Sequence, residues 1–390
     1  MNNHVIFFSG GKSSFSVADY VKTHYPDDNI LLYFTDTLWE DEDLYRFIYE
    51  ASDKLELPML IHSRGITPAQ LMVQQKFMAN NRVGTCSKEL KMKVSANYFK
   101  KGIVPEVEKW HNKHFLKDGD FVTEPTLYFG IGWTEMHREE PIRFNWQPFK
   151  VEMPLIENMI DNDEILKKHD IKQPRLYDLE FAHNNCKAKC VKAGQAHFLN
   201  LLKKDSKTFY ELMEQEIVIS DYIRYAKQTS QRKKLVDDHL YKEVYEFVST
   251  GKKTTKIKHI INTHKYTKKH WIGVNGKGED IKKHYTFMKA MSLEELENKP
   301  LQIDLFDFGG CGCFVEYEKE RKGVDYMLED ENCNYCAREL IEGKTIIYER
   351  EGSVSYCDDD CMVGDIRKHS RYYMDLMLEN GMIEQIKHEK

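Results

Sequence analysis

The feature that most constrains this chain is a glycine-rich loop between an apolar run and a helix-like stretch near residue 10. The apolar run begins at Val5, and apolar residues then recur at helical spacing at Phe15, Val17, Ala18 and Val21. This pattern predicts a strand, a tight loop and a helix. Glycines let a backbone approach an anion closely, and hydroxyl groups and helix amides supply hydrogen-bond donors. We therefore predict a phosphate site formed by Ser9, Gly10, Gly11, Lys12, Ser13 and Ser14.

The segments that follow continue an alternation of strands and helices. A second apolar run, residues 30–35, leads into Asp36 and Thr37, and residues 40–56 read as an amphipathic helix before a short strand at 59–62. The order βαβαβ predicts an α/β fold with a doubly wound, mainly parallel sheet. Because ligands bind at the carboxyl ends of strands in such sheets, Asp36 and Thr37 are candidate binding residues.

Composition limits the kind of protein. Hydrophobic residues make up 41% of the 390 residues and charged residues 31%, as in globular proteins. The sequence shows neither a signal-like leader nor a run of about 18 apolar residues, so we expect a cytoplasmic protein without a membrane partner. In such a chain the nine cysteines favour metal ligands or reactive thiols over disulfides.

Two close cysteine pairs suggest one metal centre. Cys186 and Cys190 form the first pair, and Cys311 and Cys313 the second, within a glycine-rich segment. Four converging thiolates suit either a [4Fe-4S] cluster or Zn²⁺, and the spacing does not choose between them. Four buried cysteines without a metal are the alternative.

The remaining paired cysteines predict a zinc ribbon. Their spacing is Cys-x2-Cys followed, after twenty residues, by Cys-x3-Cys, which is typical of two zinc knuckles. A strand is predicted between the knuckles at residues 344–348. The predicted Zn²⁺ ligands are Cys333, Cys336, Cys357 and Cys361.

A basic stretch separates the two cysteine regions. Residues 252–289 contain eleven lysines against Glu279 and Asp280, with Tyr266, Trp271 and Tyr285 among them. Clustered lysines with interleaved aromatic residues favour nucleic-acid binding. A solvated lysine-rich arm has the same composition and remains the alternative.

Two motifs carry a resemblance to a known superfamily. The loop at residues 9–14 is too short for a Walker loop and resembles the PP-loop of ATP pyrophosphatases, with Ser13 in place of the usual aspartate. The segment 82–91 resembles the Arg-x-Cys-Thr-x-x-x-Lys stretch of the phosphoadenosine phosphosulfate (PAPS) reductase-like branch, with one extra residue before Cys86. Its charges, Arg82, Lys88 and Lys91, suit a phosphate or sulfate. Cys86 is either a thiolate nucleophile or a small buried side chain.

Further landmarks keep the order of that family. After residues 92–126, which read as an exposed polar insertion, a strand at 127–131 leads to Glu135 and Arg138. In the family such side chains line the nucleotide pocket, and a local surface ion pair between the two is the alternative. The family then has a Pro-Leu strand, a short helix and a Leu-Tyr pair before a cysteine-containing turn. Residues 154–156, 161–169 and 176–177 match these elements ahead of Cys186.

The resemblance implies a nucleotide-binding domain of the adenine nucleotide alpha-hydrolase type over residues 1–180. A helical, metal-bearing and basic region over 181–320 and a zinc ribbon with a basic tail over 321–390 would follow. ATP and Mg²⁺ are the implied cofactors, and iron-sulfur relatives favour a [4Fe-4S] cluster over a second Zn²⁺. The implied catalytic residues are Lys12, Asp36, Cys86 and Lys88. Besides the loop, the implied nucleotide-binding residues are Asp36, Thr37, Arg82, Glu135 and Arg138.

Three functions remain open at this stage. The first is a transferase that adenylates a nucleic acid, tRNA or DNA, and then modifies it, for example with sulfur from a donor. The second is reduction of PAPS or adenylyl sulfate, for which Cys86 would have to replace the family's C-terminal cysteine, since residues 386–390 contain none. The third is a non-catalytic nucleotide or nucleic-acid binder, which the exchange of aspartate for Ser13 allows.

Overall fold

A computed structural model describes residues 1–81, 83–231, 238–263, 272–274, 280–282, 285–288, 291–298, 345–350, 353–357 and 383–387. Its centre is a six-stranded sheet with the order β4-β3-β2-β1-β5-β6. The strands are β1 (Asn3–Phe7), β2 (Asn29–Asp36), β3 (Met59–Ser63), β4 (Val107–His111), β5 (Thr126–Phe129) and β6 (Lys150–Glu152). Only β4 runs antiparallel to its neighbour in this sheet. The predicted α/β fold with a mainly parallel sheet is confirmed.

Helices cover both faces of the sheet. Phe15 and Phe47 belong to an apolar cluster on one face, and Phe99 and Trp146 belong to the cluster on the other. This arrangement is compatible with the doubly wound fold expected from the sequence. The helices of this part are α1 (Lys12–His24), α2 (Glu42–Leu55), α3 (Pro68–Gln75), α4 (Lys93–Lys101), α5 (Glu139–Asn145), α6 (Pro154–Glu157), α7 (Asn162–Lys168) and α8 (Arg175–Asp178).

The strand order reverses between β1 and β5. From β1 the chain builds outward through β2 and β3, whereas β5 pairs with the other side of β1 and continues to β6. Phe7, the last residue of β1, is in register with Tyr33 of β2 and Phe129 of β5. A crevice forms outside the carboxyl ends of strands at such a reversal, and ligands of open α/β sheets bind there. The predicted phosphate loop begins at this point.

Two expectations about local structure were wrong. Residues 92–126, expected to be a polar insertion, contain α4 and the edge strand β4, which pairs with β3. Apolar and polar residues alternate only weakly along β4, because an antiparallel edge strand needs few buried side chains. Residues 154–156, expected as a strand, begin helix α6 instead. Pro154 occupies the first turn of α6. The N–H groups of a first turn have no partner within the helix, so the missing N–H of proline costs no hydrogen bond there.

A second core lies among the later helices. These are α9 (Gln195–Lys204), α10 (Ser206–Gln231), α11 (Asp238–Thr250), α12 (Thr255–Thr263) and α13 (Leu293–Glu297), and their apolar cluster also includes Met72 of α3. Glu216 of α10 is fully buried and accepts the backbone N–H groups of Phe287 and Leu293, each at 2.8 Å. Burial raises the pKa of Glu216 to about 8. This carboxyl group ties the segment before α13 to the longest helix.

Short strands are described farther along the chain. β7 (Ile272–Val274) pairs with β8 (Asp280–Lys282), and β9 (Thr345–Arg350) pairs with β10 (Ser353–Cys357) and with β11 (Ile383–Lys387). The strand predicted between the zinc knuckles is confirmed as β9. Cys357 ends β10, whereas Cys333, Cys336 and Cys361 lie outside the described residues.

Candidate functional site at the carboxyl edge of the sheet

Close backbone packing shapes the predicted phosphate loop. Gly10 has φ +79°, and a Cβ there would lie 2.8 Å from Leu44 Cγ. A Cβ on Gly130, directly after β5, would lie 2.7 Å from the backbone nitrogen of Ser14. Both positions therefore require glycine. Gly130 brings the end of β5 against the first turn of α1, so the loop and the segment after β5 form the two sides of the crevice.

The loop hydroxyls bond to one another and to a neighbouring helix. Ser9 Oγ donates to Ser14 Oγ at 3.3 Å, and Ser14 Oγ donates to the carbonyl oxygen of Gly11 at 2.9 Å. Ser13 Oγ accepts a long hydrogen bond, 3.4 Å, from Asn162 Nδ2 of α7. Ser13, which stands in place of an aspartate in the resemblance, thus faces α7.

Lys12 is engaged by two side chains that the sequence analysis did not select. Its Nζ lies 2.8 Å from Asp163 Oδ1 and 4.9 Å from the centre of the Tyr177 ring. Burial raises the pKa of the Tyr177 hydroxyl to about 12, and the nearby backbone amide of Lys12 opposes this rise. A phosphate at the start of α1 would therefore have to exchange with Asp163 and Tyr177. Both residues belong to landmarks of the resemblance, but they lie more than 150 residues from Lys12, so no local pattern assigned them to the loop.

Asp36 is held rigidly at the end of β2. Its Oδ1 accepts from the Tyr45 hydroxyl at 2.8 Å and from the Leu38 amide at 2.7 Å. The pKa of Tyr45 is raised by burial and by the nearby Asp36 carboxylate. Both bonds fall on Oδ1, so within the described part of the chain Oδ2 keeps its lone pairs. One carboxylate oxygen fits a Mg²⁺ ion that retains most of its waters.

Glu40, which no sequence pattern identified as a site residue, joins three of the predicted landmarks. Its carboxylate accepts from Thr37 Oγ1 at 2.8 Å and from the backbone amide of Cys186 at 2.5 Å. Lys91 Nζ lies 3.8 Å away, and both side chains are buried. The strand end with Thr37, the helix with Lys91 and the turn with Cys186 therefore meet at one carboxylate. Because Lys91 faces this carboxylate, its charge is directed inward rather than at a ligand.

The segment after Cys86 forms a π-helix over Ser87–Met92. Such helices are rare and occur often at functional sites. Cys86 is half-buried at its start and packs against the second core. Lys88 is half-buried, and its ammonium group has no ion pair with any described residue. Arg82, the other predicted cation, lies outside the described residues.

Glu135 and Arg138 form an ion pair on the 3₁₀ turn Trp133–Arg138, directly after β5. Arg138 is buried and Glu135 is partly exposed. The turn thus lies at the predicted edge of the sheet, and its two predicted residues contact each other. The same turn begins with Trp133, which is 61% exposed.

Asn184 contacts the loop from a distant part of the chain and was also missed. Its Nδ2 donates to the carbonyl oxygen of Gly10 at 3.1 Å, and the side chain is buried. Since a carbonyl oxygen only accepts, this contact fixes the orientation of the amide. The Oδ1 atom has no hydrogen-bond partner among the described residues. Asn184 therefore anchors Gly10 at the expense of an unpaired buried oxygen.

The Cys186–Ala188 turn has an unusual backbone. Three successive residues other than glycine, Cys186, Lys187 and Ala188, have φ between 50° and 57°. Such left-handed conformations are disfavoured for residues with a Cβ. Buried hydrogen bonds hold the two ends of this turn. Glu40 accepts from the Cys186 amide, and His197 Nε2 lies 2.8 Å from the carbonyl oxygen of Ala188.

The residues after this turn are also enclosed. Lys189 Nζ lies 4.3 Å from the Trp39 ring centre, and burial lowers its pKa to about 8. Cys186 and Cys190 are both buried, and no disulfide joins them. Their predicted co-ligands, Cys311 and Cys313, lie outside the described residues. Within the described part, no three His, Cys, Asp or Glu side chains are grouped to hold a metal.

Part of the basic stretch is engaged in the fold. Lys252 pairs with Glu246 at 2.8 Å, and Lys253 pairs with Glu214 at 2.6 Å. Tyr285 is 6% exposed and packs in the second core, so the expectation that it interleaves with the lysines as a stacking ring was wrong. Lys258 and His259 are exposed on α12, whereas Tyr266 and Trp271 lie outside the described residues.

None of the helices in the described ranges is long and apolar enough to cross a membrane. The chain was also compared with protein-family models, curated proteins and solved structures. No family model, no curated protein and no solved structure matches it.

Proposed function

We propose that this protein is a PAPS reductase-like ATP pyrophosphatase that adenylates a nucleic acid, tRNA or DNA, and then modifies it, for example by thiolation. In this scheme an oxygen of the substrate attacks the α-phosphorus of ATP, and the bond to the β-phosphate oxygen breaks to release pyrophosphate. A sulfur nucleophile from a donor then displaces AMP, forming a carbon–sulfur bond. The enzyme would be a cytoplasmic transferase.

The observation that carries this proposal is the position of the glycine loop. It follows β1 at the point where the strand order reverses, and Gly130 brings the neighbouring strand end against its backbone. Open α/β sheets bind nucleotides at that place. An anion there would meet the amides at the start of α1, and the hydroxyls of Ser9 and Ser14 would donate to it by exchanging the bonds that they make within the loop.

The charged residues and the cysteines of the proposed site have separate roles in this scheme. Lys12 binds a phosphate oxygen after exchanging with Asp163, and Lys88 neutralises charge that develops in the transfer. The free Oδ2 of Asp36 would hold Mg²⁺, which neutralises the phosphates when it is bound. Arg138 orients the segment after β5 through its ion pair with Glu135. A [4Fe-4S] cluster or Zn²⁺ at Cys186 and Cys190, and the Zn²⁺ of the ribbon, belong to this proposal.

Pyrophosphate release tests the proposal. Purified protein with ATP and Mg²⁺ should release pyrophosphate, and nucleic acid should stimulate the release. Lys88→Ala should lower the rate about 10- to 100-fold, the effect of removing one charged hydrogen bond of about 1.5–3 kcal/mol. Lys93→Ala is the matched control, since Lys93 is exposed and pairs with Glu89. Absence of pyrophosphate, or equal rates for both variants, would refute the proposal.

Reduction of PAPS or adenylyl sulfate is the second candidate, because Cys86 begins the π-helix at the same edge of the sheet. In that reaction the Cys86 thiolate would attack the sulfur of the substrate and release the nucleotide. A second thiol, from thioredoxin, would then release sulfite. Sulfite formation that is lost in Cys86→Ser, without pyrophosphate release from ATP, would favour this candidate.

A further inference from the structure

We propose that Trp133 is a stacking platform for a nucleobase at the mouth of the crevice. Trp133 is 61% exposed, more than any other tryptophan, tyrosine or phenylalanine whose burial the structure describes. In contrast, Trp39 and Trp146 are both buried. An exposed tryptophan offers a large aromatic face with a polar N–H group, which is why this residue is enriched at binding interfaces.

The position of Trp133 supports a role in binding. It follows Gly130 by three residues, and three residues span at most about 10 Å. Gly130 packs against the backbone of Ser13 and Ser14, so the indole lies within reach of a ligand whose phosphates bind the loop. This inference rests on the proposed function only in that a nucleotide or polynucleotide enters the crevice.

The ring is presented on a fixed turn. The backbone amide of Glu135 donates to the carbonyl oxygen of Gly132 at 2.9 Å, and the buried Arg138 pairs with Glu135 at the other end of the turn. No aromatic ring and no cation covers the indole among the residues whose side chains the structure describes. An indole has only two side-chain torsions, so it loses little conformational entropy when a base stacks on it.

The surrounding chemistry favours a nucleobase over an apolar protein segment. Lys88, with an ammonium group that has no ion pair in the described part, lies on the π-helix of the same edge, and the loop supplies donors for phosphates. The exposed apolar residues Leu38, which follows β2, and Val83, which precedes the π-helix, are single side chains in separate segments. A nucleotide offers the π-face of its base beside a charged phosphate, which matches an exposed indole beside a cation and a phosphate loop.

Binding measurements with four ligands test the inference and identify the source of the base. Wild type, Trp133→Phe and Trp133→Ala are titrated with ATP, tripolyphosphate, a single-stranded oligonucleotide and an abasic oligonucleotide of equal length. Trp133→Ala should weaken binding of the base-containing ligand about 5- to 150-fold, the range for loss of one stacked base. Trp133→Phe should retain part of the affinity. Binding of the two base-free ligands should not change.

An effect on ATP alone assigns the platform to the mononucleotide, and an effect on the oligonucleotide alone assigns it to the polymer. Tyr210→Ala is the control, because it removes a 42% exposed ring on α10. The inference is overturned if Trp133→Ala binds all four ligands like the wild type, or if neither base-containing ligand binds more tightly than its base-free counterpart. Pyrophosphate release with no effect of Trp133 leaves the proposed function standing without the platform. Binding that depends on Trp133 without pyrophosphate release leaves the platform standing without the proposed function.

Discussion

The two edges of the central sheet differ in how their polar groups are satisfied. At the amino edge, His4 Nδ1 lies 2.9 Å from the Tyr128 hydroxyl and Nε2 lies 3.0 Å from Asp28, and Asn29 bonds to Asn3 and to the oxygen of Asp118. At the carboxyl edge, Asn184 keeps an unpaired buried oxygen and a left-handed turn follows it. Backbone strain and unpaired groups persist where the surrounding structure holds them, and they concentrate at functional sites. The polar groups compared at the amino edge are therefore satisfied within the fold, whereas the carboxyl edge keeps an unpaired oxygen and a strained turn, which supports the binding role proposed for it.

The largest test of this difference compares a glycine from each edge. Gly130→Ala should lower the free energy of unfolding by about 1–3 kcal/mol and abolish ATP binding, because its methyl group would overlap the backbone of Ser14. Gly119→Ala should change stability by less than about 0.5 kcal/mol, since a Cβ there meets nothing within 4 Å. Chemical denaturation and nucleotide titration measure both effects. Equal effects of the two substitutions would contradict the comparison.

Asn184→Ala should raise the KM for ATP about tenfold. It removes the bond that holds the carbonyl of Gly10, a loss of about 1–2 kcal/mol when the carbonyl stays buried. Asn185→Ala is the control, because the neighbouring side chain does not contact the loop. Steady-state pyrophosphate release measures KM and kcat separately. A fall in stability with an unchanged KM would assign Asn184 to the fold alone.

Asp28→Asn, a substitution at the amino edge, should change how the free energy of unfolding depends on pH. Hydrogen bonds from the Asn2 amide and from His4 lower the pKa of Asp28 from 3.8 to about 2. A carboxyl group with a lowered folded-state pKa stabilises the protein above its unfolded pKa, and that stabilisation is lost as pH falls from about 4 to 2. We expect the variant to be about 1 kcal/mol less stable at pH 7, after allowance for solvent screening, and to lose this pH dependence. Denaturation across this pH range is the measurement, and the KM for ATP at pH 7 should remain that of the wild type.

The smallest expected effect concerns the ion pair on the loop. Asp163→Asn should leave Lys12 free to bind phosphate and lower the KM for ATP about two- to fivefold, since a pair with an exposed carboxylate contributes about 0–1 kcal/mol. Glu164→Gln removes the same charge from α7 without contacting Lys12 and should leave KM unchanged. A higher KM in Asp163→Asn would show that Asp163 assists binding rather than competing with it.

Local patterns in the sequence predicted the first strands and helices well. β1, α1, β2, α2 and β3 each carry enough apolar residues at the right period to be recognised. β4 was missed because its residues, Val107–His111, show no such period and form a strand only by pairing with β3. The Pro-Leu segment was assigned to the wrong element because proline suits a first helical turn as well as a strand edge.

The sequence by itself determined the α/β fold, the place of the glycine loop at the end of β1 and the position of Asp36 at the end of β2. Tertiary structure alone decided that Glu40 meets the Cys186 amide across 146 residues, that Asn184 holds Gly10 across 174, and that Asp163 pairs with Lys12. Periodicity reports which face of an element is buried, a local property of the chain. A hydrogen bond between distant residues depends on where the sheet places both of them, and no short window of sequence contains that information.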